Sequence, residues 1–370
     1  MKSIAEMEAV DVPTSSFNCL AQQLIALCTY KAQEYEALFL GEQIKVTDSS
    51  LKEQNRYFEH AEKFYGIKLL KTDFIFDENY NSKYPYGLAF FDVTRYPLCA
   101  NIENPDVETH AAIIYEMRDE YVYLYDNYYL ENEVKLSKKE FLNSMISFWK
   151  FEYVHMNPEI DFINSQIKQD LLDTAELLSN SLIVDYFQNL KNDHFNTELI
   201  EADIHILFSF LIKKCCLWEK IDDDYCFNVC ISCIRKIGEK LRNTVYQIYK
   251  KKMRKGELDE NEIRIIKEKI IDSIEGLPAI IEEMIFLVNG ETSIKDKITE
   301  DFRMYLGVEE LPYEESVYVR HDGVTILRLV NYLEDTYDID ELSPLIFTGL
   351  ETYGDFINAF YGYYINLFVV

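Results

Sequence analysis

Apolar positions near the start of the chain follow a helical period. They are spaced i, i+4, i+7 and i+8 and are occupied by Leu20, Leu24, Leu27 and Cys28. This spacing predicts one buried face of an amphipathic helix. Ser15, Ser16 and Asn18 precede that face and belong to the residue types that cap helix N-termini. We therefore predict a helix that begins close to Cys19.

Farther along, the pattern changes to that of β-strands. Apolar or aromatic runs cover residues 88–93, 110–117, 121–126 and 148–155, and a polar loop separates the middle two. Two such runs joined by a short polar loop are typical of an antiparallel hairpin. Up to about residue 156 we therefore predict short helices combined with an antiparallel sheet.

Helical spacing returns after that point and continues with few Pro or Gly residues to interrupt it. The last part of the chain is predicted to be a compact acidic helical unit. Together these changes predict an α+β protein with three domains, at residues 1–156, 157–292 and 293–370. The first domain contains the sheet, and the other two are helical.

The net charge of the chain limits the classes of partner that we expect it to bind. The 65 acidic and 37 basic side chains leave a formal net charge of −28, which repels nucleic-acid phosphates and anionic lipid headgroups. No apolar run is long enough to span a bilayer, and the first residues lack the apolar core of a secretory signal. With eight cysteines and no such signal, we expect a cytoplasmic protein with reduced thiols and no nucleic-acid or membrane partner.

Cys19 has the position of a reactive thiol. It falls in the first turn of the predicted helix, where free backbone N–H groups and the helix dipole favour a thiolate. A nucleophilic cysteine needs a base, and the base needs an orienting group. His110 opens one strand of the predicted hairpin and Asp126 closes the other. A helix-start cysteine followed by a strand histidine and a strand-end aspartate is the order of papain-like enzymes.

The length of the hairpin loop decides which residue faces His110. A three-residue loop pairs Met117 with Tyr121 and puts Asp126 on the same face and end of the sheet as His110. A two-residue loop instead places Asn127 opposite His110, and asparagine also orients the histidine in some cysteine enzymes. We predict Asp126 as the orienting residue and keep Asn127 as the alternative.

Short motifs in this part of the chain resemble the butirosin biosynthesis protein H N-terminal family. The residues that carry the resemblance are 18–20, 27, 30, 38–42, 91–93, 96–98, 109–110 and 123–126. The family has a papain-like fold that it shares with a group of cysteine peptidases. Its founding member is similar to an acyltransferase that moves an acyl chain from a carrier-protein thioester to an amine. The resemblance covers roughly the first 155 residues.

The resemblance implies a role for each candidate residue. Cys19 would accept the acyl group, His110 would act as general base and acid, and Asp126 would orient His110. The residue before the cysteine is often histidine in the family but is Asn18 here. The Asn18 amide and the Cys19 backbone N–H form a candidate oxyanion hole. The implied co-substrates are an acyl-phosphopantetheinyl carrier protein and an amine acceptor, with no covalently bound cofactor.

Residues 293–367 resemble an acyl carrier protein. Residues 294–306 match its first helix, and residues 321–339 match the helix that begins at the phosphopantetheine serine and the segment after it. Up to residue 362 the segment carries 15 acidic and 5 basic side chains, a difference of −10. Gly323 occupies the serine position. Because glycine has no hydroxyl, the resemblance implies a degenerate carrier domain, and an ordinary acidic helical bundle is the alternative.

The middle domain contains a set of cysteines with a metal-like spacing. Cys226, Cys230 and Cys233 have the CxxxCxxC pattern of a [4Fe–4S] site. On a helix, however, the same spacing forms one stripe, and cysteine is a small apolar residue there. We therefore predict that the three thiols are packed in a core. No histidine spacing matches a metal motif either, and we expect no metal.

The one strongly basic stretch spans residues 235–255, in which nine Lys or Arg residues accompany a single acid, Glu239. The candidates for docking an acidic carrier protein are Arg235, Lys236, Lys240, Lys250, Lys251 and Lys252. The docked carrier would be either a separate protein or the C-terminal domain of the same chain. A solvated helix face is the alternative explanation.

From these features we expect a cysteine-dependent acyltransferase of thiotemplated, nonribosomal-peptide-like natural-product biosynthesis, which forms an amide. A cysteine peptidase or other hydrolase is the alternative among enzymes. A non-catalytic scaffold for carrier proteins is the alternative from another class. A homodimer is compatible with each of them.

Overall fold

The computed structural model describes residues 18–47, 50–80, 83–99, 109–129, 131–154, 160–179, 182–189, 197–221, 224–256, 258–308, 310–340 and 342–369. These residues form two compact units. The first contains the described residues up to Gln43 and those of Glu53–Ile167, and the second contains those of Ile44–Lys52 and from Lys168 onward. The chain is a mixed α and β protein with an antiparallel sheet and many helices, which agrees with the predicted α+β class.

The elements up to residue 154 are α1 (Cys19–Ala32), β1 (Gln43–Val46), β2 (Leu51–Gln54), α2 (Tyr57–Tyr65), β3 (Ile67–Lys71), β4 (Gly87–Asp92), β5 (Thr109–Arg118), β6 (Tyr121–Asp126), β7 (Glu131–Ser137), α3 (Lys138–Ser144) and β8 (Met145–Tyr153). A 3-10 turn covers Glu36–Phe39. The predicted strand at 121–126 coincides with β6, and the one at 110–117 lies within β5.

The first unit is built on a 6-stranded antiparallel sheet with the strand order β3-β8-β4-β5-β6-β7. The strands β4 and β5 run through its middle, and most of their residues are buried. The apolar cluster against the sheet includes Ala89, Phe91, Tyr96, Ala112, Ile114, Met117, Leu124 and Phe148. Gly87 is required where β4 approaches β8, because a Cβ there would lie 2.4 Å from the Phe148 ring.

The β5–β6 hairpin differs from the predicted hairpin at its turn. Asp119 and Glu120 have φ angles of 51° and 64°, the left-handed conformation that two-residue hairpin turns use. The predicted pairing of Met117 is therefore wrong, since Met117 lies opposite Val122. A bulge between Ile114 and Glu116 then shifts the register by one residue. Beyond the bulge the strands follow the predicted register, which places His110 and Asp126 at the same end of the hairpin.

Helix α1 begins where the apolar period predicted it. Asn18 is its N-cap and accepts a hydrogen bond from the Ala21 backbone N–H at 2.8 Å, while Ser15 and Ser16 lie outside the described residues. At the other end of α1, Lys31 donates to the carbonyls of Tyr65 and Gly66. This contact ties α1 to the end of α2 and so holds the Cys19 helix within the first unit.

The remaining helices are α4 (Ile160–Ser179), α5 (Leu182–Asn189), α6 (Thr197–Trp218), α7 (Tyr225–Lys255), α8 (Glu260–Ile274), α9 (Leu277–Asn289), α10 (Ile294–Leu306), α11 (Gly323–Tyr337) and α12 (Tyr353–Leu367). Two 3-10 turns cover Val317–Val319 and Pro344–Phe347. Within the second unit, Lys214 of α6 forms a buried ion pair with Asp170 of α4 at 2.6 Å.

The predicted second and third domains pack together in the second unit. The helix predicted at 294–306 is α10, and Gly307 caps its C-terminus as a left-handed residue. On α12, the Tyr361 hydroxyl lies 3.4 Å from the Cys230 thiol of α7, so the predicted boundary at residue 293 separates segments that share a core. The predicted boundary at residue 156 lies outside the described residues.

Candidate active site

Cys19 is the first residue of α1, and its side chain is partly exposed. Its Sγ atom lies 4.0 Å from the carbonyl oxygen of Thr109, the residue that begins β5. The first backbone N–H groups of a helix have no partner within the helix, so they create a positive potential at its start. The fold thus brings the Cys19 thiol to the end of β5 where His110 lies.

His110 links Cys19 to Asp126. Its Nε2 atom lies 2.7 Å from Oδ2 of Asp126, and Cys19 lies close enough to its ring to raise the pKa of His110. Since Asp126 occupies Nε2, Nδ1 is the nitrogen available to Cys19. His110 is only 4% exposed and Asp126 is fully buried. The three predicted catalytic residues therefore lie together, with Asp126 hydrogen-bonded to His110 and Cys19 beside the His110 ring.

The surroundings of His110 favour its charged form and raise its pKa from 6.5 to about 9. Burial alone would lower this pKa, because it removes the imidazolium from water. The hydrogen bond to Asp126, and after it the interaction with Cys19, outweigh that effect. The imidazolium form of His110 is therefore favoured at neutral pH.

Asp126 is held by hydrogen bonds on both carboxylate oxygens. Oδ2 accepts from the Tyr96 hydroxyl at 2.9 Å as well as from His110. Oδ1 accepts from Nε2 of Gln23 at 3.0 Å and from the backbone N–H of Tyr128 at 3.2 Å. Donors on both oxygens fix the orientation of this buried carboxylate. Asp126 can therefore orient His110 and stabilise its positive charge.

Aromatic rings enclose the His110 imidazole. The Tyr96 ring stacks on it with centroids 5.0 Å apart, and the rings of Tyr128 and Tyr129 contact it at 5.7 and 5.2 Å. Tyr128 is 38% exposed and lies at the rim of the cluster. A second thiol, that of Cys99, is buried and lies 3.2 Å from the Tyr129 hydroxyl. Burial raises the pKa of Cys99, so this thiol is less reactive than an exposed one.

The two other candidate residues occupy supporting positions. The side chain of Asn127 accepts from the Tyr125 hydroxyl and donates to the backbone carbonyl of Gln22. Asn127 therefore joins β6 to α1, and Asp126 is the residue placed against His110. Asn18 uses its side-chain oxygen to cap α1, and a role of its amide nitrogen in an oxyanion hole stays a prediction.

Gln23 and Tyr96 are site residues that the sequence did not reveal. Gln23 stands within the apolar stretch of α1 and is fully buried, and a buried amide in a helix indicates a polar partner. Tyr96 belongs to a motif of the family resemblance, but that motif says nothing of its contact with Asp126. Only the folded chain brings both residues to the carboxylate.

Most cations of the basic stretch, which lies on α7, have partners in the second unit. Ion pairs join Arg235 to Glu219, Lys252 to Glu201, and both Lys251 and Lys255 to Glu262. On the C-terminal segment, Lys236 donates to the side chain of Asn366 and Lys240 to the carbonyl of Val369. Five of the six docking candidates therefore bind groups of their own unit.

Lys250 differs from these cations. It is exposed and forms no ion pair with any described residue. Its neighbours on the same face of α7 are Tyr246, Tyr249 and Met253, which are 62%, 52% and 72% exposed. Their spacing of three and four residues places all four side chains in one row, which we call the α7 stripe. The stripe combines apolar surface with positive charge.

The cysteine triplet of α7 is packed as predicted. Cys226, Cys230 and Cys233 are fully buried, and burial raises the pKa of each thiol. Besides the contact of Cys230 with Tyr361, the Cys233 thiol lies 3.6 Å from the Asn366 side chain. Cys230 and Cys233 therefore contribute to the contact between α7 and α12.

Across the described ranges, no group of three or more His, Cys, Asp or Glu side chains is arranged to hold a metal ion. Helices that combine the length and the apolar character needed to cross a membrane are likewise absent from the described part of the chain. No family model matches the chain, and no curated protein matches it.

Proposed function

We propose that this protein is a cysteine-dependent acyltransferase with a papain-like catalytic domain. The observation that carries the proposal is the placement of the His110 ring between Cys19 and the carboxylate of Asp126, which is 2.7 Å from Nε2 of His110. It provides a nucleophile, a proton carrier and an orienting carboxylate in the arrangement that nucleophilic catalysis requires. The acyl donor would be a carrier-protein thioester and the acceptor an amine, in a thiotemplated biosynthetic pathway of the cytoplasm.

In the first step the Cys19 thiolate attacks the carbonyl carbon of the donor thioester. The negative charge that develops on the carbonyl oxygen would be stabilised by first-turn N–H groups of α1, with the Asn18 amide as a second donor. The bond from the carbonyl carbon to the carrier sulfur then breaks. The imidazolium of His110 gives its proton to the leaving phosphopantetheine thiol, which leaves an acyl-Cys19 thioester and a neutral His110.

In the second step the neutral His110 acts as the base. The amine nitrogen attacks the acyl-Cys19 carbonyl carbon and transfers a proton to His110 as the new C–N bond forms. The C–S bond breaks and releases the Cys19 thiolate beside the imidazolium. The product is an amide, and the enzyme returns to its starting protonation state. If water attacks instead, the same residues would perform hydrolysis.

We also propose that residues 293–370 are a degenerate carrier-like segment. In support, Gly323 is the first residue of α11, directly after the N-cap Asp322, whose carboxylate accepts from the Thr325 backbone N–H at 2.8 Å. This is the place where the resemblance requires a serine hydroxyl. The packing of α12 against α7 favours a structural role for the segment within its unit.

The donor carrier protein would then bind in trans. Lys236 and Lys240 are engaged by the C-terminal segment, whereas the α7 stripe is exposed and carries the positive charge of Lys250. An acidic carrier complements this surface in charge and can cover its apolar rings. We therefore propose the α7 stripe as the docking surface for the carrier.

The decisive test is intact-protein mass spectrometry with a panel of acyl-loaded carrier proteins. The wild-type protein should gain the mass of one acyl group, and Cys19→Ala should gain none. Cys99→Ala is the matched control, because it removes the other thiol near His110 and should still be acylated. Adding amines or water alone then separates a transferase from a hydrolase. If no carrier acylates Cys19 and the protein still binds carriers, the scaffold alternative is supported.

A further inference from the structure

Tyr96 lies in the centre of a stack of three rings. Its ring is stacked on Phe91 with centroids 4.7 Å apart and planes 25° apart, and on His110 with centroids 5.0 Å apart and planes 29° apart. Tyr96 and Phe91 are both fully buried. Phe91 belongs to β4 and lies opposite His110 in the sheet. The Tyr96 ring is therefore packed between the buried Phe91 ring and the imidazole, and it covers one face of the imidazole.

The hydroxyl of Tyr96 reaches the orienting carboxylate. It donates to Oδ2 of Asp126 at 2.9 Å, the same oxygen that lies 2.7 Å from Nε2 of His110. Two donors thus share one carboxylate oxygen. Tyr96, which is outside the proposed triad, therefore contacts His110 through its ring and Asp126 through its hydroxyl.

We propose that Tyr96 is a positioning residue of this site, which fixes the plane of the His110 ring and draws part of the Asp126 charge away from His110. This inference rests on the proposed function for the role of His110 as proton carrier. The two contacts act on different properties. Stacking limits rotation of the imidazole, and the hydroxyl limits how strongly Asp126 stabilises the imidazolium.

The neighbouring tyrosines do not combine a ring on His110 with a hydroxyl on Asp126. Tyr129 also contacts the His110 ring, but its hydroxyl lies against the Cys99 thiol. Tyr125 is adjacent to Asp126 in the chain and buried, but its hydroxyl donates to the Asn127 side chain. Tyr125→Phe therefore removes a buried hydroxyl of the same sheet without touching either contact of Tyr96, and it serves as the matched control.

Removing the hydroxyl alone has a defined direction. In Tyr96→Phe the ring still stacks, but Oδ2 of Asp126 loses a donor and becomes a stronger acceptor for His110. The pKa of His110 should then rise above its wild-type value, by about half a unit. If Tyr96 had only a structural role, Tyr96→Phe would change the stability of the protein but would not change the pKa of His110.

The experiment follows the His110 resonances by NMR between pH 6 and 11 in the wild type, Tyr96→Phe and Tyr125→Phe, with His110→Gln to assign them. In parallel, the rate of Cys19 alkylation by iodoacetamide is measured over the same pH range. We expect an upward shift of the His110 titration in Tyr96→Phe and none in Tyr125→Phe. A Tyr96→Leu variant that stays folded should alkylate about tenfold more slowly at pH 7, because the imidazolium is no longer held beside the thiolate.

The outcomes separate the two proposals. If Cys19 of the wild type reacts no faster than the buried thiols, the proposed function fails, whatever Tyr96 does. If Cys19 is reactive but the titration of Tyr96→Phe superimposes on that of the wild type, the positioning role is wrong and the proposed function stands. The same shift in Tyr125→Phe would also overturn the role of Tyr96.

Discussion

Gln23 and Asp126 are joined by a hydrogen bond of 3.0 Å from the Gln23 amide to Oδ1 of the carboxylate. Gln23 lies four residues after Cys19 on the same helix, so α1 carries both the proposed nucleophile and a group that holds Asp126. The Gln23 side-chain oxygen in turn accepts from the Asn127 backbone N–H at 3.3 Å. A shift of α1 would therefore move Cys19 and disturb the hydrogen bonds of Asp126 at once.

The first prediction concerns this link. Gln23→Leu replaces the polar amide by an apolar side chain of similar size and leaves the buried Oδ1 of Asp126 with one donor fewer. The free energy of unfolding should fall by about 1–3 kcal/mol, and acyl transfer should slow as Asp126 loses its fixed orientation. Urea denaturation and acylation rates measure the two effects. The exposed Gln54→Leu should change neither, and equal behaviour of the two variants would contradict the role of Gln23.

Selective alkylation provides the second prediction. Cys19 is partly exposed and contacts His110, whereas burial raises the pKa of Cys28 and of Cys230. Iodoacetamide at pH 7 should therefore modify Cys19 of the native protein first, by at least about tenfold in rate. Peptide mapping after short exposure identifies the labelled thiol. Uniform labelling of the cysteines in the folded protein would argue strongly against the triad.

The third prediction is a dependence of stability on pH. The pKa of His110 is raised from 6.5 to about 9, so the folded state binds the proton more tightly than the unfolded state. At about 1.4 kcal/mol per unit, this contributes roughly 3 kcal/mol below pH 6.5, which is lost as the pH rises through 9. Urea titrations at pH 6, 8 and 10 should show that loss in the wild type. His110→Asn should lack this component, and an identical decline in both proteins would refute it.

The fourth prediction concerns the carrier-like segment. A phosphopantetheinyl transferase with coenzyme A should add no mass to the wild-type protein, since Gly323 offers no hydroxyl. A Cβ added at Gly323 meets nothing within 4 Å, so Gly323→Ser should fold normally. That variant is the control, because it restores the attachment residue after Asp322. Phosphopantetheine on any residue of the wild-type chain would eliminate the degenerate-carrier proposal.

The fifth prediction concerns the α7 stripe. Lys250→Glu should weaken the binding of whichever carrier acylates Cys19, and the wild-type affinity should fall as salt shortens the Debye length from about 10 Å at 0.1 M. Lys251→Glu is the matched control, because Lys251 pairs with Glu262 within the unit. Fluorescence anisotropy with a labelled carrier measures both affinities. If both variants lost the same carrier affinity, the loss would come from the general change of charge and the α7 stripe would not be the docking surface.

The sequence by itself determined the features that depend only on residues close together in the chain. The apolar period and the cap at Asn18 predicted the start of α1, and the run of apolar residues predicted the bounds of β6. The spacing of Cys230 and its two companions predicted a buried stripe on α7. Each of these follows from the repeat of a helix or strand and from local hydrogen bonds, which are properties of a short segment.

Features that join distant segments were decided only by the tertiary structure. The turn at Asp119 has two residues, and the bulge before Glu116 restores the register that brings His110 to Asp126. No local pattern predicts such a bulge, because it is selected by the packing of the whole sheet. The hydrogen bonds from Gln23 and Tyr96 to Asp126 likewise arise because a buried carboxylate must find donors wherever the fold supplies them. The pairing of His110 with Asp126 could therefore be predicted from the sequence, whereas the groups that hold Asp126 in place could not.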